Sequence, residues 1–171
     1  MTSDEYQYLW NKHHQLKLRV LANRIYQQER QRRFEFREGI IKAMSIIAGT
    51  VAFANVTNQN LLIIKWCLFL ITAFNIFALV FGYGNKARDS GKRAVDWTLL
   101  ERDMEIVGER DFTESQLNQW IARCNEIEAG EPASHHVLME ICTERACNSL
   151  GGEYSLKLSC FQKLLPIVFI P

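Results

Sequence analysis

The stretch IIKAMSIIAGTVAFANVTNQNLLIIKWCLFLITAFNIFALVFGYG, residues 40–84, decides how this chain is read. Two apolar runs, Ile40–Val56 and Leu61–Gly84, stand back to back, with only Thr57-Asn58-Gln59-Asn60 between them. A helix needs about 20 mostly apolar residues to cross the hydrocarbon core of a bilayer. The second run has that length. The first is shorter and gains reach from Phe34 and Phe36 at its entrance. Lys42 lies one turn inside, where its stem can snorkel back to the interface. Two such helices joined by a short polar loop predict a membrane hairpin.

The charges around this hairpin predict its orientation. The connecting loop carries no Lys or Arg. Arg24, Arg30, Arg32, Arg33 and Arg37 precede the first run, and Lys86, Arg88, Lys92 and Arg93 follow the second. Basic residues near membrane ends favour the cytoplasmic side. Both termini are therefore expected in the cytoplasm, with Arg30, Arg32, Arg33, Arg37, Lys86, Arg88, Lys92 and Arg93 at the headgroups, where anionic lipid attracts them. Lys65 is the discordant charge and is expected to reach towards the loop side. The opening Met1-Thr2-Ser3-Asp4-Glu5-Tyr6 has no apolar core. The first run is thus expected to be its own insertion signal.

Across 171 residues, 20 Lys and Arg balance 19 Asp and Glu. That balance argues against a nucleic-acid binder, which shows a basic excess. The length allows a hairpin and one small helical bundle. The expected organisation is a basic amphipathic N-terminal helix (1–39), the two-transmembrane hairpin (40–84), a cytosolic helical domain (85–152) and an apolar tail (153–171). The fold class is all-α. The five cysteines (Cys67, Cys124, Cys142, Cys147 and Cys160) form no Cys-x-x-Cys pair and suit reduced thiols facing the cytosol.

Periodicity fills in the helices. Residues 5–38 contain no Gly or Pro. Leu9, His13, Leu16 and Val20 form one stripe, and Leu18, Leu21 and Ile25 a neighbouring one expected to pack in a cytosolic collar. This helix should run into the first apolar run as one rod, with Gly39 as the place for a bend. Lys86–Val107 is a further helix with Ala94, Trp97, Leu100 and Met104 on one face, ended by Gly108. Thr113 is the expected N-cap of the next, with Gln116 completing a capping box. Its stripe is Leu117, Trp120, Ile121, Cys124 and Ile127; Gly130 is placed as its C′ residue, and Pro132 stops it. Ser134 is expected to cap a last helix burying Val137, Leu138, Ile141 and Leu150. The tail ends in the apolar Leu164–Pro171, too short to span; packing on the bundle, contact with the membrane surface and assembly all stay open for it.

Within the apolar runs, Ser45, Ala48, Gly49 and Ala52 have small-x-x-x-small spacing, which lets helix backbones approach closely in lipid. Packing against the second run and self-assembly both use such a face. Asn75, deep in the second run, is costly in hydrocarbon. It is expected either to hydrogen-bond a neighbouring helix or to line a water-filled lumen.

Chemistry is sparse. His13-His14 and His135-His136, the latter with Cys142 and Cys147, lack zinc-ligand spacing. Glu126, Glu128 and Glu131 cluster before Pro132, but nothing close in sequence would tune them as an acid–base pair. A solvated helix end accounts for them. There is no phosphate loop and no hydrolase or metalloprotease motif. Asn55-Val56-Thr57 matches a glycosylation sequon at a membrane edge. The expectation is no enzyme and no cofactor.

One family resemblance gathers these features. The basic N-terminal helix, the two adjacent apolar runs, a helix with Ala87 and Trp97, the stretch Ile127-Glu128-Ala129-Gly130-Glu131-Pro132, and Cys142-Thr143-Glu144-Arg145-Ala146 before Gly151 together resemble the SLATT domain. That is the two-transmembrane effector domain of bacterial conflict systems. The resemblance covers roughly residues 10–152. It implies an anti-phage effector of nucleotide-signalling or retron (reverse-transcriptase) operons. Such an effector oligomerises in the inner membrane, depolarises it and causes abortive infection. A sensor or inhibitor encoded nearby would supply the trigger. Two other readings are a membrane-anchored scaffold or sensor that recruits a partner through its cytosolic helices, and a holin-like phage protein.

Overall fold

The computed structural model describes residues 3–56 and 60–155. Among them it is all-helical: α1 (Ser3–Val56), α2 (Leu61–Phe81), α3 (Tyr83–Val107), α4 (Glu114–Ala129) and α5 (His136–Ser149). Two stretches, one in α1 and one beginning at Leu61, are long and apolar enough to cross a membrane. The tail from 156 onward, with Cys160, and most of the loop at 57–59 lie outside the described residues.

Helix α1 runs for 54 residues and passes through Gly39 without a break. Its expected stripe is there: Leu9, His13, Leu16 and Val20 are buried. The stripe continues further than the apolar pattern shows. Asn23, Gln27, Arg30, Phe34, Ala48 and Ala52 are also buried, and Glu38, Ile41 and Ser45 are half-buried. From Leu9 to Arg30 steps of four and three alternate, the 3.5-residue period of helices packed side by side.

The chain divides into two compact units, one of residues 1–30 with 90–171 and one of 31–89. In the first, the core gathers Leu9, Leu16 and Val20 of α1, Trp97, Leu100 and Met104 of α3, and Leu117, Trp120 and Cys124 of α4. Leu18, Leu21 and Ile25 pack instead on α5, against Met139, Ala146 and Leu150. Ion pairs stitch the helices to α1: Arg24 to Glu101, Lys17 to Glu109 at 2.6 Å, and Arg145 to Glu29 at 2.6 Å.

Local signals set most helix ends. The Thr113 side chain accepts from the Gln116 N–H, and the Thr113 N–H donates to Gln116 Oε1 at 2.8 Å, closing the capping box. Gly108, at φ +86°, ends α3 in the left-handed region that glycine favours.

Three ends differ from expectation. Helix α3 begins at Tyr83, not Lys86: Gly82 alone, at φ 57° and ψ 37°, separates it from α2. Gly130 caps α4 at φ −86°, outside the left-handed region, so no glycine is required there. His135, not Ser134, caps α5. Its backbone N–H donates to the Tyr26 hydroxyl at 2.8 Å, a tertiary contact that fixes the chain one residue beyond the serine. The buried positions of α5 are Leu138, Cys142 and Ala146, while Val137, Ile141 and Leu150 are only half-buried.

Removing the Tyr26 hydroxyl strands that N–H in a part-buried site. Tyr26→Phe should lower unfolding stability by about 1–3 kcal/mol, read as a shifted denaturant midpoint with unchanged slope. An unaltered midpoint would show that the contact does not hold α5.

Candidate functional site

The second unit pairs the last part of α1 with α2. Ala48, Ala52 and Cys67 are its buried small residues. A Cβ placed on Gly49 would sit 4.0 Å from Ile71 Cδ1, ordinary van der Waals contact. At the other end, Gly84 lies so close to Glu38 that an added Cβ would meet its carboxylate oxygens at 2.9 and 3.0 Å. The first approach puts α1 beside α2, and the second puts α1 beside the start of α3. Of the small residues, Ala48 and Ala52 are buried and Ser45 and Gly49 half-buried within this unit. Outward, the two helices are apolar: Ile46, Phe53, Leu62, Phe69, Leu79 and Val80 are all exposed. Only 6% of the most apolar window of either helix is buried.

Polar side chains on this apolar pair fall into two groups. Thr50 donates to the Ile46 carbonyl, Thr72 to that of Leu68 and Asn55 to that of Val51, each at 2.9 Å. Their own helix satisfies them. Ser45 Oγ is buried with no hydrogen-bond partner among the described residues. Asn75 is exposed, and no hydrogen bond ties it to another described residue. These two line the same open cavity, of about 390 Å³, with Ile41, Ile46 and Ala78. At its entrance stand Tyr83, Gly84 and the ion pair between Lys42 Nζ and Glu38 Oε1, at 2.7 Å. Ser45 and Asn75 were both singled out by sequence. Glu38, Tyr83 and Gly84 were not, although Glu38 and Lys42 have the i,i+4 spacing of a helical ion pair.

The basic residues do not form one uniform belt. Arg32, Arg88 and Lys92 are exposed, and Arg33 and Arg93 half-buried. Arg37 lies over the rings of Phe34 and Tyr83, 5.9 and 5.7 Å from their centroids, and Lys86 over Phe34 at 5.9 Å. Such contacts join cation to ring face. Arg30 is buried beside Tyr26, 5.8 Å from its centroid.

The three glutamates separate. Glu126 pairs with Arg123 at the surface. Glu128 accepts from Arg19 and from Asn23 Nδ2, clamping α4 to α1. Glu131 accepts from the Trp97 indole N–H at 2.7 Å. Burial pushes the Glu131 carboxyl above its ordinary value, against the lowering by Trp97. A solvated helix end is therefore the wrong description of Glu128 and Glu131. Their partners come from α1 and α3. Burial likewise raises the Cys124 thiol to about 11, leaving it protonated and unreactive at neutral pH. Cys67, Cys124, Cys142 and Cys147 are free thiols. Among the described residues no three His, Cys, Asp or Glu come together as a metal-holding group.

Two substitutions probe these arrangements. Gly49→Ala should be tolerated, since its methyl finds ordinary contact and alanine favours the helix by about 1 kcal/mol; Gly49→Leu should push α1 from α2. That separation should appear as a lowered denaturant midpoint in Gly49→Leu that Gly49→Ala does not show. Glu131 has a raised folded pKa, so the folded state binds the proton more tightly and stability falls as pH rises from about 4.5. Glu131→Gln should flatten that fall between pH 4 and 7, in melts followed by circular dichroism. An unchanged slope would remove Glu131 as its source. No family model, curated protein or solved structure matches this chain.

Proposed function

We propose that the chain is a membrane-disrupting effector. Copies insert the α1–α2 pair as a hairpin in a bacterial inner membrane, with both ends cytoplasmic, and assemble so that the face bearing Ser45 and Asn75 lines a conducting path. One observation carries this reading: Ser45 and Asn75, polar side chains that their own helices leave unsatisfied, line one open cavity. In hydrocarbon an unsatisfied polar group is costly, so water or another copy must cover it. Two helices cannot enclose a pore, which makes several copies necessary. The exposed Ile, Leu and Phe of the same helices suit lipid. The resemblance to SLATT domains sets the reading in anti-phage defence, with a sensor or inhibitor partner supplying the trigger.

A second reading, a membrane-anchored scaffold or sensor, is favoured by the first unit's own core of α1, α3 and α4 residues. In that case the hairpin is only an anchor.

The test is inducible expression in bacteria with the neighbouring genes, following growth and a membrane-potential dye together. The wild type should depolarise cells before growth stops. Asn75→Leu should insert normally and reduce depolarisation about tenfold, the worth of one interhelical polar contact. Full activity in Asn75→Leu, and in a chain carrying an unrelated hairpin, would replace the pore with the anchor.

A further inference from the structure

The first unit holds a cavity of about 190 Å³ between α1 and the end of α3, separate from the polar cavity described above. Its apolar floor is Val20 and Met104, both buried. His13 lines it and is 97% buried, being only 3% exposed. The His13 ring is held by stacking on Phe112, centroids 4.5 Å apart, and by Trp120 at 5.8 Å. Its Nε2 has no hydrogen-bond partner among the described residues. A buried imidazole nitrogen without a partner costs stability unless something occupies the space in front of it.

The walls are negative. Glu101, Glu105 and Glu109 follow one another at spacings of four, and all line the cavity. On α3 the like charges of Glu101 and Glu105 at i,i+4 repel. These two stand near its C-terminal end, where the helix dipole is already negative and no basic residue occupies the last turn; Glu109 lies beyond Gly108, outside the helix. Arg24 neutralises Glu101, and Lys17 neutralises Glu109. Glu105 has no ion pair among the described residues. The cavity thus keeps one uncompensated carboxylate, a negative helix end and a hydrogen-bonding nitrogen above an apolar floor. This selects against anions. Among the described residues no three metal-holding groups converge as a divalent cation's ligand set. Burial and Lys17 push the His13 imidazole below its ordinary value, so at neutral pH it can accept a hydrogen bond.

We propose that this cavity binds a small organic cation, a primary amine with a short aliphatic chain, its ammonium beside Glu105 and His13 Nε2 and its chain on Val20 and Met104. The repulsion between the glutamates is relieved by the ligand's charge, and the unpaired nitrogen gains its partner. The site lies in the helical unit and stands whether or not the apolar pair conducts ions.

The full chain in lipid nanodiscs, titrated with butylamine and with 1,4-diaminobutane, tests this by calorimetry and by tryptophan fluorescence, since Trp120 reports on the His13 ring. Saturable binding is expected below about 1 mM, weakened at least tenfold in Glu105→Gln and in His13→Phe. The phenyl ring preserves stacking while deleting the nitrogen, and Glu105 is exposed, so its variant folds even where the histidine variant does not. Glu114→Gln, on α4 and not lining the cavity, should bind as the wild type does. The proposal is overturned by no saturable binding of either amine, by equal binding in Glu105→Gln, or by equal displacement with magnesium chloride and sodium chloride at matched ionic strength.

Discussion

Each compact unit is built on its own part of α1, and the constraint behind this is the set of inward-facing positions of that helix. From Leu9 to Arg30 those positions recur every 3.5 residues, and their chemistry changes along the helix. Leucine and valine meet α3 and α4 at one end. Asn23, Gln27 and Arg30 follow, then Phe34, and finally alanines. Apolar burial fixes the first stretch at about 25 cal/mol per Å². In the last stretch small side chains let α2 come close, a packing that does not depend on water. One helix thereby carries two kinds of packing, large side chains at one end and small ones at the other.

The polar middle of the seam explains what the sequence did and did not disclose. Leu9, His13, Leu16 and Val20 were legible because their neighbours in the stripe are apolar. Asn23, Gln27 and Arg30 occupy the same face but read as a charged surface, so the pattern stops although the helix and its seam continue. The Thr113–Gln116 capping box was legible because both partners lie three residues apart. His135 was not, because its anchor, Tyr26, lies 109 residues away. The same holds for Glu131 and Trp97, which are 34 residues apart. Signals closed within one turn could be read; those closed between helices could not.

The polar cavity on α1 and α2 was half legible. Asn75 stood out as a polar residue in an apolar run, whereas Ser45 was read for its small size; Thr50 and Thr72 lie in the same runs. Separating the pairs required knowing which hydroxyls bend back to their own carbonyls. Convergence of the remaining two needed the register of α1 against α2, which the approach of Gly49 to Ile71 supplies. Hydropathy carries no information about register.

The ion pair between Glu38 and Lys42 has an electrical consequence. Of the two lysines in the apolar segments, Lys42 is matched by a carboxylate one turn away. A matched pair has little net charge for a transmembrane voltage to act on. Lys65 has no such partner among the described residues. In the proposed topology the work of insertion against the resting potential therefore falls on Lys65 alone, at most about 2.3 kcal/mol per 100 mV. A hairpin carrying a single uncompensated charge near its tip can be inserted by an energised membrane at modest cost, and the voltage has only that one charge by which to act on it afterwards.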